Sequence, residues 1–156
     1  MKIEVKSILL AEDSPRDTEL TINALAYHNL ANEVVAVRDG AEALDYLYRR
    51  GPFADRSSGQ PVVILLDLKM PKVDGIEVLR QIKSDPQLKM IPVVILTSSR
   101  EEKDVVESYH LGVNAYIVKP VQFEKFVDAV KLVSVFWAVL NEPPPGSVRS
   151  SRPKTP

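Results

Sequence analysis

The chain has no cysteine among its 156 residues, which excludes disulfides, thiolate chemistry and zinc sites built on cysteine. It also lacks an excess of charge of either sign, because 20 Lys and Arg residues stand against 21 Asp and Glu residues and leave a net charge of -1. A balanced chain has no overall field that would attract nucleic acid or an anionic membrane. We therefore expect neither as a partner.

Long apolar runs are missing as well. Residues 1–6 mix charged and apolar side chains and lack the apolar region of a signal peptide, so we expect a cytoplasmic protein. Residues 132–140 are apolar nearly all round but are too short to span a bilayer. With 45% hydrophobic residues, the chain suits one globular domain, which we expect over residues 1–142. Residues 143–156 are rich in Pro, Ser and Arg and predict a disordered tail.

Short apolar runs alternate with segments of helical periodicity along the domain. Strands are predicted at 3–11, 33–37, 62–67, 92–97 and 115–118, helices at about 15–28, 41–49, 75–83, 101–111 and 123–140, and a surface loop at 51–61. In the helix at 101–111, Val105, Val106 and Tyr109 are the expected apolar positions. This alternation predicts an α/β fold, with one five-stranded parallel sheet covered by helices on both faces.

Four of the five predicted strands end in polar side chains. These are Glu12 and Asp13, then Asp67, Thr97 and Lys119. Because the carboxyl ends of parallel strands meet at one edge of a sheet, we expect the five side chains to lie together. Three carboxylates in one place repel each other unless a cation joins them. Mg²⁺ fits, because this ion takes one or two carboxylates together with water and phosphate oxygens.

Phosphoryl transfer is the chemistry that needs such a set, since it depends on positioning and charge neutralisation. Asp67 is the candidate nucleophile, which would form an aspartyl phosphate. A Mg²⁺-dependent phosphatase is an alternative. Such an enzyme usually has a second acidic residue two positions after the nucleophile, and here that position holds Lys69. The alternative is therefore disfavoured.

These motifs, in this order, resemble the response-regulator receiver domain over about residues 6–140. The resemblance implies a flavodoxin-like (βα)5 fold in which Asp67 accepts a phosphoryl group from a phosphohistidine of a sensor histidine kinase. It also implies that Mg²⁺ is held by Glu12, Asp13, Asp67 and the backbone carbonyl of Lys69. Thr97 and Tyr116 match the family's switch pair, and Lys119 precedes Pro120 in a bond expected to be cis. The protein would then be a phosphoacceptor switch and not a turnover enzyme.

A narrower resemblance is to the stand-alone regulators that partner bacterial phytochrome histidine kinases. It is carried by residues 11–15, the 51–61 loop, residues 82–86 and the aromatic residues of the last helix, Phe123, Phe126, Phe136 and Trp137. The resemblance implies a homodimer formed through that helix. No helix-turn-helix or catalytic pattern follows it, so we expect output through protein contacts or through onward transfer in a phosphorelay. A degenerate receiver that serves only as a docking scaffold is disfavoured, because none of the phosphorylation residues is missing.

Overall fold

Five parallel strands form one sheet in a computed structural model that describes residues 7–27, 33–57, 59–99 and 101–119. The strands are β1 (Ser7–Ala11), β2 (Glu33–Val37), β3 (Val63–Leu66), β4 (Val93–Thr97) and β5 (Ala115–Val118), in the order β2-β1-β3-β4-β5. The predicted sheet is confirmed. The chain moves from β1 outward to β2 and then returns to place β3 on the other side of β1, so the order reverses between β1 and β3. Such a reversal opens a crevice at the carboxyl ends of the strands.

Successive residues of β3 point to opposite faces of the sheet, as the pleat of a strand requires. Ile64 and Leu66 belong to one hydrophobic cluster, and Val63 and Leu65 belong to the other. All four side chains are buried. Burial on both faces explains why this strand is an uninterrupted apolar run without polar alternation.

Four helices are described, α1 (Pro15–Tyr27), α2 (Gly40–Tyr48), α3 (Gly75–Ser84) and α4 (Glu102–His110). Their starting points follow from local capping. The Ser14 hydroxyl accepts the N–H of Asp17 at 3.3 Å, so Pro15 occupies the first helical position as predicted. Asp39 and Asp74 cap α2 and α3 in the same way, at 2.8 Å and 3.0 Å. Among these four helices, none is long and apolar enough to cross a membrane.

The predicted helix at 101–111 is confirmed as α4, but two of its three apolar positions do not face the core. Val106 and Tyr109 are 60% and 52% exposed, whereas the buried positions of the helix are the polar residues Asp104 and Ser108. Polar side chains occupy the inner face because the start of α4 lies beside the polar edge of the sheet, where Asp104 has hydrogen-bond and ionic partners. Helical periodicity of apolar residues therefore pointed to the wrong face.

The segment predicted as a surface loop packs against α2. It opens with a short 3-10 helix, Gly51–Phe53, whose Phe53 ring meets the ring of Tyr46 edge to face with centroids 5.1 Å apart. The Arg56 guanidinium lies 4.0 Å from the centre of the Tyr46 ring and donates to the Tyr46 carbonyl. The loop is thus held by an aromatic and a cation–π contact. The predicted last helix and the predicted tail lie outside the described residues, as does the peptide bond to Pro120.

Candidate functional site

Asp67 stands at the carboxyl end of β3, between β1 and β4. Its backbone N–H donates to the carbonyl of Ala11 at 3.0 Å, which extends the pairing of β1 and β3 to the point where Asp67 leaves the sheet. The loop that follows is closed by the N–H of Gly75, which donates to the carbonyl of Leu68 at 2.9 Å. The Asp67 residue is only 5% exposed. The fold therefore fixes this carboxylate at the crevice where the strand order reverses.

The two carboxylate oxygens of Asp67 have different neighbours. Its Oδ1 accepts the hydroxyl of Thr97 at 2.6 Å and the backbone N–H of Lys69 at 3.2 Å. Its Oδ2 lies 3.3 Å from the ammonium of Lys119. Strand ends that are 30 and 52 residues away in sequence from Asp67 thus place a hydroxyl and a cation on one carboxylate. The sequence predicted this meeting.

Lys119 is the cation shared by the site. Its ammonium pairs with Glu12 and with Asp67, and also with Asp17 at 2.9 Å. Burial alone would lower the pKa of Lys119, but the hydrogen bonds to Glu12 and Asp17 and the charge of Asp67 raise it above its ordinary value. Lys119 therefore stays protonated and supplies a fixed positive charge at the crevice.

The carboxylates of Glu12, Asp13 and Asp67 form a cluster in which one oxygen from each lies within 4.8 Å of the others. Glu12 and Asp67 are buried and Asp13 is exposed. Burial raises the pKa of Glu12 to about 7, and the charge of Asp67 adds to the rise while the hydrogen bond from Lys119 opposes it. One ammonium thus leaves negative charge uncompensated. A hard divalent cation would relieve this excess, and oxygen atoms are the ligands that such ions prefer.

Tyr116 reaches the site indirectly. Its hydroxyl donates to the backbone carbonyl of Ser99 at 2.9 Å, and its ring packs partly against the hydrophobic cluster. The N–H of Ser99 in turn points to the hydroxyl of Thr97 at 3.4 Å. The structure therefore connects Tyr116 to Thr97 through the segment that follows β4. The switch role of this pair stays a prediction.

Two carboxylates that contact neighbours of Asp67, without contacting Asp67 itself, were missed by the sequence analysis. Asp17 lies in the first turn of α1, where an acidic residue is ordinarily explained by the helix dipole, yet it is a partner of Lys119. Asp104 was not selected at all, although its Oδ2 accepts the Ser99 hydroxyl at 2.6 Å and lies 3.4 Å from the Lys69 ammonium. The hydrogen bond from Ser99, together with the charge of Lys69, holds the pKa of Asp104 below its ordinary value despite its burial. The apolar pattern of the helix did not reveal Asp104, whose hydrogen-bond partner Ser99 lies outside α4.

Fold and site together define a class. The molecule is a doubly wound α/β domain of the flavodoxin-like kind, whose strand ends gather an acidic cluster, a hydroxyl and a lysine. Residues 8–131 match the family model of the response regulator receiver domain. The chain belongs to this family.

Individual relatives agree with the assignment. The chain is 42% identical over 132 residues to response regulator Rcp1 of Synechocystis sp., covering 85% of this chain and 88% of Rcp1. The Mn²⁺-bound structure of Rcp1 superposes with a TM-score of 0.83 at 40% identity, covering 89% of this chain and 99% of that one. The structure of the phosphorylated cyanobacterial phytochrome response regulator RcpA superposes with a TM-score of 0.83 at 47% identity, covering 89% of this chain and 98% of RcpA. The structure of the bacteriophytochrome response regulator RtBRR superposes with a TM-score of 0.73 at 64% identity, covering 92% of this chain and 86% of RtBRR. The chain is thus a response regulator of the receiver type.

Proposed function

We propose that Asp67 is the phosphoacceptor of this regulator and receives its phosphoryl group from a phosphohistidine of a sensor histidine kinase. The observation that carries the proposal is the pair of contacts on Asp67, where Thr97 donates to one carboxylate oxygen and Lys119 faces the other. A carboxylate held in this way is oriented before it reacts. Its nucleophilic oxygen attacks the phosphorus, the bond from phosphorus to the histidine nitrogen breaks, and the electron pair of that bond returns to the imidazole.

Each neighbour of Asp67 has a part in this transfer. The Lys119 ammonium balances the negative charge that the incoming phosphoryl group brings to a buried carboxylate. The Thr97 hydroxyl is free to donate to a phosphoryl oxygen once Asp67 is modified. Tyr116 is the proposed partner of Thr97 in the switch, because both residues contact the Ser99 segment. Positioning and charge supply the catalysis, as phosphoryl transfer requires.

Mg²⁺ is the proposed resident cation, held by Glu12, Asp13, Asp67 and the backbone carbonyl of Lys69. The three carboxylates fit because their oxygens converge and their charge exceeds that of Lys119. Bound there, Mg²⁺ would neutralise charge on the phosphoryl oxygens. The Mn²⁺-bound form of Rcp1 supports a divalent ion in a relative 42% identical to this chain.

The full-length protein, incubated with Mg²⁺ and a panel of phosphorylated histidine kinases, tests the proposal. We expect covalent labelling that chelation of the metal reduces at least tenfold. We also expect hydroxylamine to release the label, because it cleaves acyl phosphates and leaves phosphate esters intact. Label that resists hydroxylamine, or that forms equally well with a chelator present, would contradict Asp67 chemistry.

Among kinases, we propose a bacterial phytochrome as the partner, because the phytochrome response regulator RcpA and the bacteriophytochrome response regulator RtBRR are 47% and 64% identical to this chain. The kinase panel should therefore include a phytochrome kinase and show its fastest transfer from that member. A phosphorelay role, with onward transfer from Asp67, is the alternative output.

We infer that the protein acts as a switch and does not turn over small phosphate esters. A phosphatase of the aspartyl type needs an acid two residues after the nucleophile, and here that residue is Lys69, whose ammonium pairs with Asp104. We further propose a cytoplasmic protein that signals without binding nucleic acid or membrane, in keeping with its net charge of -1.

A homodimer is the proposed assembly, formed through the predicted last helix at 123–140, in which residues 132–140 are apolar nearly throughout. Multi-angle light scattering of the full chain should give twice the monomer mass of 17.4 kDa at micromolar concentration. A monomer mass at high concentration, both with and without a phosphodonor, would count against the dimer.

A further inference from the structure

Asp104 is a buried carboxylate that the proposed function does not use. It lies in the first turn of α4 and is only 8% exposed. One oxygen, Oδ2, serves both of its partners, accepting the Ser99 hydroxyl at 2.6 Å and pairing with the Lys69 ammonium at 3.4 Å. Asp104 therefore joins the segment after β4 to the loop after β3.

Both segments also contact Asp67 directly or through one neighbour. On one side, the Lys69 N–H donates to Asp67 Oδ1. On the other side, the Ser99 N–H points to the Thr97 hydroxyl, which donates to the same Oδ1. The contacts thus form a closed ring that passes from Asp67 through Lys69, Asp104, Ser99 and Thr97 and back to Asp67. Asp104 and Ser99 are each two contacts away from Asp67 in this ring.

Fold stability explains the hydrogen bond from Ser99 better than it explains the pairing with Lys69. Lys69 has a side chain that is 58% exposed, and an ion pair with so exposed a partner contributes little. Burying a carboxylate costs desolvation that an apolar residue on the same face of α4 would avoid. What the carboxylate does achieve is to hold the Lys69 and Ser99 side chains together beside the phosphoacceptor.

We propose that Asp104 is a positioning residue that prolongs the life of the phosphoryl group on Asp67, by keeping Lys69 and Ser99 joined across the approach of water. The proposal rests on Asp67 being the phosphoacceptor. In hydrolysis a water oxygen attacks phosphorus, the bond from phosphorus to the Asp67 oxygen breaks and its electron pair stays on the carboxylate. The water proton passes to solvent and inorganic phosphate leaves. The attacking water must reach phosphorus in line with that bond, on the side opposite the Asp67 oxygen, and in this proposal the joined Lys69 and Ser99 side chains limit its access.

The measurement is the decay of phosphorylated full-length protein after the phosphodonor is removed, at constant Mg²⁺. Asp104→Asn keeps the size of the side chain and an acceptor for Ser99 but loses the attraction for Lys69. We expect its phosphoryl group to be lost roughly three- to tenfold faster than that of the wild type, with the rate of labelling unchanged. Glu102→Gln is the matched control, because it removes one exposed negative charge from the same turn of α4, and its decay should equal that of the wild type.

A second variant separates positioning from a general loss of stability. Lys69→Gln breaks the same pair from the other side, so the double variant Asp104→Asn with Lys69→Gln should decay no faster than the faster single variant. Multiplied rates in the double variant would show that Asp104 does not act through Lys69 and would overturn the proposal. So would decay of Asp104→Asn that is unchanged or slower, as expected if a released Lys69 bound the phosphoryl group. If the wild type itself takes no label, the proposed function fails first, and the proposal about Asp104 falls with it.

Discussion

Asp67→Asn lowers phosphoryl labelling to below about one hundredth of the wild-type level, because an amide lacks the nucleophilic oxygen pair of a carboxylate. The substitution preserves the shape of the side chain and an oxygen that can accept from Thr97 and from the Lys69 N–H. It also removes a negative charge that raises the pKa of Glu12. The free energy of unfolding of the variant should therefore lie within about 1 kcal/mol of that of the wild type. Loss of label then reports a loss of chemistry and not of folded protein.

The matched control for this experiment is Asp74→Asn. Asp74 lies in the same loop but is exposed, and its side chain accepts the N–H of Glu77 to start α3. Asn caps helices about as well as Asp, so this variant should be labelled like the wild type. Equal labelling of Asp67→Asn and Asp74→Asn, measured with the same kinase and Mg²⁺, would refute the assignment of the phosphoacceptor.

The sheet was predictable from the sequence because its strands are buried on both faces. A continuous apolar run such as Val63, Ile64, Leu65 and Leu66 has no polar alternation. Its short length and the turn signals beside it identify it as a strand. The order of the strands follows from the crossovers of a parallel α/β fold and from the family resemblance. Once the strands were located, Glu12, Asp67, Thr97 and Lys119 were placed by the rule that strand ends converge.

Side chains contributed by helices were not predictable by the same rule. Asp17 and Asp104 reach the site from the first turns of α1 and α4, where acidic residues are common because they favour the helix dipole. Because the helix dipole already explains an acidic residue at these positions, nothing in the sequence indicated that Asp17 and Asp104 also have partners on other elements. In α4 the apolar residues Val106 and Tyr109 lie on the exposed side, so the periodic pattern gave no reason to expect a buried carboxylate on the other side.

Gly75→Ala is expected to destabilise the protein by about 3 kcal/mol, because the added methyl group has no room. A Cβ at this position would lie 2.2 Å from the backbone oxygen of Asp67 and 2.6 Å from the Cα of Leu68. Both are backbone atoms, which cannot rotate away as the end of a side chain can. The loop would have to move, and the bond from the Gly75 N–H to the Leu68 carbonyl, which closes it, would be strained.

Gly112→Ala provides the comparison, because the cost of adding a methyl group there comes from the backbone conformation and not from a steric clash. Gly112 has a φ of +100°, which disfavours Ala, but its Cβ would lie no nearer than 3.9 Å to the Lys83 side chain. Gly112→Ala should therefore lower the free energy of unfolding by about 1 kcal/mol. Urea unfolding of both variants gives the two free energies, and an effect of Gly75→Ala no larger than that of Gly112→Ala would contradict the steric argument. Because the displaced atoms belong to Asp67 and its neighbour, Gly75→Ala should also be labelled more slowly than Gly112→Ala under conditions in which both are folded.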